Sequence, residues 1–226
     1  MAEKLPEWRQ YRDFEPNEFI LVAADPAAGG GDYCAVQFIS KDKIDVPLVY
    51  HSNKMASFMT NELLPVLERI HDITGVRPVV AYERANGGAF EAERLALLNR
   101  AGKFDVFKMP TMGVDHSARK EGEPPPVKYG WDTNSATRPH MLGQLKDAID
   151  NKLLTVYDVP TIEEMYSFVV TRTSNAWKAQ AETGAHDDLI MALAIGWQLY
   201  QMCEKPQMHW AHQGRRPEIA DHDIGI

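Results

Sequence analysis

The chain has 226 residues, 44% hydrophobic and 25% charged, with a formal net charge of −8 from 24 basic and 32 acidic side chains. This is ordinary composition for one large α/β domain or two small ones, and the length suffices to bury a substantial core. The charge excludes a protein that holds duplex DNA by electrostatics alone, since such binding scales with phosphates neutralised; a divalent metal, a local basic strip or another domain would have to help.

Cys34 and Cys203 are the only cysteines, which rules out a disulfide scaffold and a cysteine-rich zinc site. The apolar runs are too short to span a membrane, and Met1-Ala2-Glu3-Lys4 opens no apolar signal segment, so a cytoplasmic location without membrane contact is expected.

Residues 1–17 lack a periodic apolar face and read as a linker or arm, with Trp8 and Tyr11 available for packing. The run Phe19-Ile20-Leu21-Val22-Ala23-Ala24 has the content of a buried strand and ends on an acid, Asp25. Pro26 stops a central strand, Gly29-Gly30-Gly31 permits a turn, and Tyr33 to Ile39 resumes as a second strand. Val46-Pro47-Leu48-Val49-Tyr50 adds a third, with Pro47 marking an edge or a bulge, so three antiparallel strands are predicted.

Ser57 can cap a helix with Phe58, Leu63, Leu64, Leu67 and Ile70 near one stripe, kinked or turned at Pro65 and ending about Gly75. Pro78 to Glu83 repeats the opening design, a short apolar strand ending on an acid, and a helix follows from Ala89 to about Asn99. Phe104 to Met109 is a further strand, and alternation of strand and helix implies parallel pairing through right-handed crossovers.

Residues 110–132 form a long loop carrying His116, Arg119, Lys120 and Lys128, read either as an excursion or as a flap that contacts a polyanion. Thr133 to Arg138 is a cap cluster for a helix running to about Ile149, where Arg138 can meet a phosphate. A short strand at Leu153–Val156, a helix from Thr161 to about Val169 and a hairpin within Thr171–Ala181 follow. His186-Asp187-Asp188 then precedes Leu189 to Tyr200, a helix apolar on nearly every side and so expected to be buried. Helix capping by Asp187 accounts for one of the two acids more easily than for both. The region after Cys203 reads as a tail.

Asp25 and Glu83 end strands that can be neighbours, and Asp187 and Asp188 open a helix that can pack across them. Carboxylates gathered this way raise one another's pKa, and divalent cations resolve the conflict. All-oxygen ligation suits Mg²⁺ or Mn²⁺, and two such ions about 3.5–4 Å apart suit phosphodiester hydrolysis.

The ordered set of Asp25 in AADPAAGGGDYCAVQF, Glu83 in VVAYERANGG and Asp187-Asp188 in GAHDDLIMALAIGW resembles the nuclease domain of the large terminase subunit of tailed bacteriophages, as does KYGWDTNSATRPHML at residues 128–142. The resemblance covers roughly residues 18–202. It implies a ribonuclease H-like α/β fold, with a mixed central sheet of three antiparallel strands then parallel strands, flanked by helices. It also implies an endonuclease that cuts concatemeric viral DNA in the host cytoplasm during packaging.

On that resemblance Asp25, Glu83 and an acid of the Asp187-Asp188 pair would be metal ligands, with Asp25 bridging two ions. Lys128 and Arg138 would be phosphate contacts. His186 would either polarise a water or phosphate or cap the turn before the helix. The implied partners are double-stranded DNA, a packaging ATPase, the portal and the small terminase subunit. The chain lacks a G-x-x-x-x-G-K-[ST] loop, since its one Gly-Lys, Gly102-Lys103, precedes Phe104, so an excised or stand-alone nuclease domain with low DNA affinity is expected. Three other readings fit parts of the pattern: a Holliday-junction-type resolvase, an actin-like ATP phosphotransferase invited by Gly29-Gly30-Gly31, and a non-catalytic docking module.

Overall fold

The computed structural model describes residues 5–27, 32–109, 128–172, 177–181 and 186–206. The apolar run before Pro26 forms a strand, Ile20–Asp25, in which every residue is buried. A run without alternation suits a strand covered on both faces. In chain order the strands are β1 (Trp8–Gln10), β2 (Ile20–Asp25), β3 (Cys34–Ser40), β4 (Asp45–Ser52), β5 (Val79–Tyr82), β6 (Asp105–Val106), β7 (Phe168–Arg172) and β8 (Trp177–Ala181). The helices are α1 (Ala56–Thr74), α2 (Gly88–Leu98), α3 (Thr137–Asp150), α4 (Val159–Ser167) and α5 (Asp188–Met202).

Six strands make one mixed sheet in the order β1-β4-β3-β2-β5-β6, and β7 pairs with β8 in a separate hairpin. β2, β3 and β4 are antiparallel neighbours, whereas β5 and β6 run parallel to β2, as the strand–helix alternation predicts. Side-chain alternation divides the core in two. Leu21 and Ala23 face a cluster with α3 and α5, while Ile20, Val22 and Ala24 face one with α1 and α2. α5 is buried over most of its length, against β2 and β3.

Several local expectations shift. Trp8–Gln10, inside the stretch read as an arm, pairs with β4 as an edge strand, because Trp8 packs on Phe38 and Tyr50. Arg9 and Asp158 anchor it through a buried ion pair of 2.5 Å. Pro47 does lie at a bulge, with Val46 and Pro47 both opposite Ile39. Pro65 sits inside α1 without ending it, and the helix stops at Gly75, in the left-handed conformation. The helix begins one residue before Ser57, with Met55 at its N-cap.

The expected strand at Leu153–Val156 reduces to a single bridge from Thr155 to Asp45. α4 ends earlier than its sequence pattern suggests, and β7 takes over at Phe168. Gly29, Gly30 and Gly31, the basic residues His116, Arg119 and Lys120, and the tail beyond residue 206 lie outside the described residues.

Candidate active site

β2 and β5 are in parallel register with Ala24 opposite Tyr82, and the Glu83 amide donates to the Ala24 carbonyl at 2.8 Å. Asp25 and Glu83 therefore follow at matching positions. Both continue the alternation of Ala23 and Ala81, which places them on the α5 face of the sheet. They are nearly buried, at 7% and 8% exposure. Burial first, then the adjacent Glu83 carboxyl group and the charges of Asp188 and Asp187, push Asp25 well above the usual carboxylate range.

The chain can turn directly behind Glu83 because Gly88 opens α2. A Cβ at Gly88 would stand 1.8 Å from the Glu83 carbonyl oxygen and 2.7 Å from the Pro26 side chain, so only glycine permits this approach.

The N-terminus of α5 supplies the other acids. Asp187 holds the N-cap position without a side-chain cap; the amides of Leu189 and Ile190 donate instead to Glu164 of α4, at 3.0 and 3.2 Å. Capping from a different helix leaves both aspartates available. Asp187 accepts a 2.6 Å ion pair from Arg138. The Oδ2 of Asp188 is buried without a hydrogen-bond partner, 3.7 Å from His186 Nδ1. Burial and then the Asp187 charge raise Asp188 to about 6, with His186 opposing. Burial, assisted by Asp188 and Asp187, raises Glu164 to about 8 against its two amide hydrogen bonds.

The four predicted acids thus meet at one sheet end, where Glu83, Asp187 and Asp188 each act electrostatically on Asp25. Of the predicted phosphate contacts, Arg138 and His186 join them through Asp187 and Asp188. Lys128 is exposed on the segment that bridges Lys108 through Tyr129, and Trp131 of that segment donates to the Tyr82 carbonyl at 2.7 Å. Two residues escape sequence reasoning. Glu164 carries no local signal, because its partner amides are 25 and 26 residues away. Arg84, next to Glu83, pairs with Asp132 at 2.7 Å and donates to the Tyr129 carbonyl.

The donor set suits a hard divalent cation. All its atoms are carboxylate oxygens, one of them buried and unpartnered, and burial with its acidic neighbours raises Asp25. Among the described residues, no group of three or more His, Cys, Asp or Glu side chains stands in an arrangement that could hold a metal ion as it is. A site of few protein ligands leaves positions for water and phosphate.

No family model and no curated protein matches the sequence. Solved structures do. The large terminase nuclease from thermophilic phage G20c with bound magnesium aligns at a TM-score of 0.61 and 15% identity, over 87% of this chain and 89% of that one. The same nuclease with bound cobalt gives 0.61 and 16% over the same shares. The large terminase nuclease domain of Thermus phage P74-26 gives 0.59 and 16%, over 91% of this chain and 92% of that one. The chain has the fold of these domains, which is ribonuclease H-like.

Proposed function

We propose that the protein is a divalent-metal-dependent DNA endonuclease that cuts concatemeric viral DNA during genome packaging. The observation that carries this reading is the placing of Asp25 and Glu83 side by side and nearly buried at the ends of parallel strands, near the buried, unpartnered oxygen of Asp188, a cluster that is costly unless a cation joins it. The solved relatives with magnesium and cobalt support the same choice of chemistry.

Asp25, Glu83 and Asp188 would hold the metal, with Asp25 between the other two. Asp187, tied to Arg138, would orient the neighbouring donors. Mg²⁺ or Mn²⁺, as one ion or a pair, would supply an activated water and stabilise the leaving oxygen of the phosphodiester. His186, half exposed beside Asp188, is placed to hydrogen-bond a water or a phosphate oxygen. Glu164 keeps the α5 amides occupied, so that the two aspartates project towards the sheet end instead of folding back on their own helix.

The substrate would be double-stranded DNA. With a net charge of −8 the domain would rely on a packaging ATPase, the portal and the small terminase subunit for its grip on the polymer. The host cytoplasm is the corresponding location, and no helix among the described residues is long and apolar enough to cross a membrane.

Supercoiled plasmid incubated with Mg²⁺, Mn²⁺ or EDTA tests the reading, with Asp25→Asn in parallel. Nicking and linearisation that require metal and vanish in Asp25→Asn are expected. Cutting that persists in EDTA or in the variant would contradict the assignment.

A further inference from the structure

The carboxylates are one half of a row that continues across the sheet end. In register, Glu83 of the β5 end lies beside Asp25, Asp25 pairs with Ala35, and Ala35 pairs with His51. Tyr33, two residues before Ala35, shares its face, which is the α5 face. The Tyr33 ring stacks on His51 with centroids 4.7 Å apart and an interplanar angle of 29°, and its edge meets His186 at 5.2 Å. Three rings therefore lead away from the acids into a cleft of about 610 Å³ between β4, α4 and the start of α5.

The cleft has the size of a small-ligand site, which commonly runs about 300–1,000 Å³. Charges on its wall are largely engaged: Arg9 pairs with Asp158 at 2.5 Å, Glu7 with Lys54 at 2.7 Å, and Glu164 accepts from the α5 amides. Burial and the Arg9 charge press His51 down to about 4, so its imidazole is neutral, with a buried Nε2 that has no hydrogen-bond partner. Planar rings with neutral hydrogen-bonding atoms suit a flat, uncharged group better than a phosphate.

We propose that the cleft formed by Tyr33, His51 and His186 is a nucleobase subsite, which takes one unstacked base of the DNA strand whose phosphate lies at the carboxylates. The inference rests on the nuclease reading for its substrate. His51 lies two strands from Asp25, about 10 Å at ordinary strand spacing. That corresponds to about three stacked nucleotides, at about 3.4 Å each along a strand. The base enters only from single-stranded or locally opened DNA, since a paired base presents no free face. Tyr33 supplies the platform, and its edge contact with His186, whose Nδ1 is 3.7 Å from Asp188, links the cleft to that acid.

The test uses the intact protein in EDTA, where cutting is suppressed, with ring resonances of Tyr33 and His51 followed by NMR. The probes are a ten-residue deoxythymidine oligonucleotide, a base-free oligomer of the same length, free thymidine monophosphate and N-acetyl-arginine amide. Saturable ring shifts with the oligonucleotide, and binding about tenfold tighter than to the base-free oligomer, are expected. Tyr33→Leu should remove that difference. Equal affinity for the base-free oligomer, or unmoved rings, overturns the proposal in the unmodified protein, whatever the variant's folding. Ring shifts with the arginine probe but not with the oligonucleotide would assign the cleft to a protein side chain. Shifts with thymidine monophosphate alone would assign it to a free nucleotide, and either result overturns the strand-base subsite. Because ring shifts need no hydrolysis, failure here is distinct from failure to cut plasmid.

Discussion

Asp25 and Glu83 stand side by side at the ends of parallel strands, both nearly buried, with the Glu83 amide donating to the Ala24 carbonyl at 2.8 Å. Two buried acids so close cannot both ionise cheaply. A cation between them would relieve that cost, as the proposed function requires, and the following outcomes depend on that property and on the helix that faces it.

The two aspartates of α5 are expected to differ. Asp188 acts on Asp25 more strongly than Asp187 does and carries the unpartnered buried oxygen, whereas Asp187 is engaged by Arg138. Asp188→Asn should abolish metal-dependent plasmid cutting, and Asp187→Asn should leave a measurable fraction of the rate. The reverse order would assign the closer metal contact to Asp187.

Glu164 should behave as a cap supplied by another helix. Glu164→Ala frees the Leu189 and Ile190 amides and is expected to cost about 1–2 kcal/mol in urea unfolding, as loss of a helix cap does. Glu164→Gln keeps an acceptor and should recover most of that loss. Equal unfolding midpoints for Glu164→Ala and the parent would remove the cap assignment.

Stability of the metal-free protein should fall between pH 6.5 and 8. Glu164 holds its proton to about 8 when folded, against an ordinary 4.5, so the folded state keeps a proton that the unfolded chain releases. Stability from this group is complete below the ordinary value and is lost as pH rises through about 8. Asp188 acts in the same direction from 3.8 to about 6. His51 acts oppositely, because its folded value of about 4 lies below 6.5, so its contribution grows as pH rises through that interval. Above 6.5 the acids are left to decide the sign, and Glu164 alone can contribute at most about 2 kcal/mol over the next 1.5 units. Thermal unfolding in EDTA should show this fall, and Glu164→Gln should flatten it.

The edge strand β1 should depend on one buried ion pair. Asp158 is fully buried, pairs with Arg9, accepts from the Tyr11 hydroxyl and receives the Thr161 amide at the start of α4. Asp158→Ala strands the Arg9 charge, and about 3–5 kcal/mol of unfolding free energy should be lost. Replacing both partners by apolar residues of similar volume should cost less, as urea unfolding of the double variant would reveal.

Much of the site was legible because strand ends and helix starts carry local signals. The apolar runs into Asp25 and Glu83 mark where each strand stops, and parallel pairing then sets the two acids in register. Asp187 and Asp188 were visible as one acid more than a helix start needs. Glu164 was not, because the amides it caps belong to a distant part of the chain. Nor was β1: a three-residue strand has no room for periodicity, and its place is fixed by Trp8 packing at a tilt on Tyr50 and by the Arg9–Asp158 pair, both long-range. Likewise the row from Glu83 to His51 exists only across four paired strands, so no single stretch of sequence contains it.

Calorimetric titration of Mn²⁺ into the intact protein at pH 7, in two buffers of different protonation enthalpy, tests the central claim most directly. Saturable binding that releases protons is expected, because Asp25 must ionise to become a ligand. Asp25→Asn should lose that binding along with its proton release. Undiminished Mn²⁺ affinity in Asp25→Asn, or no binding to the folded parent, would contradict a metal centre at this sheet end.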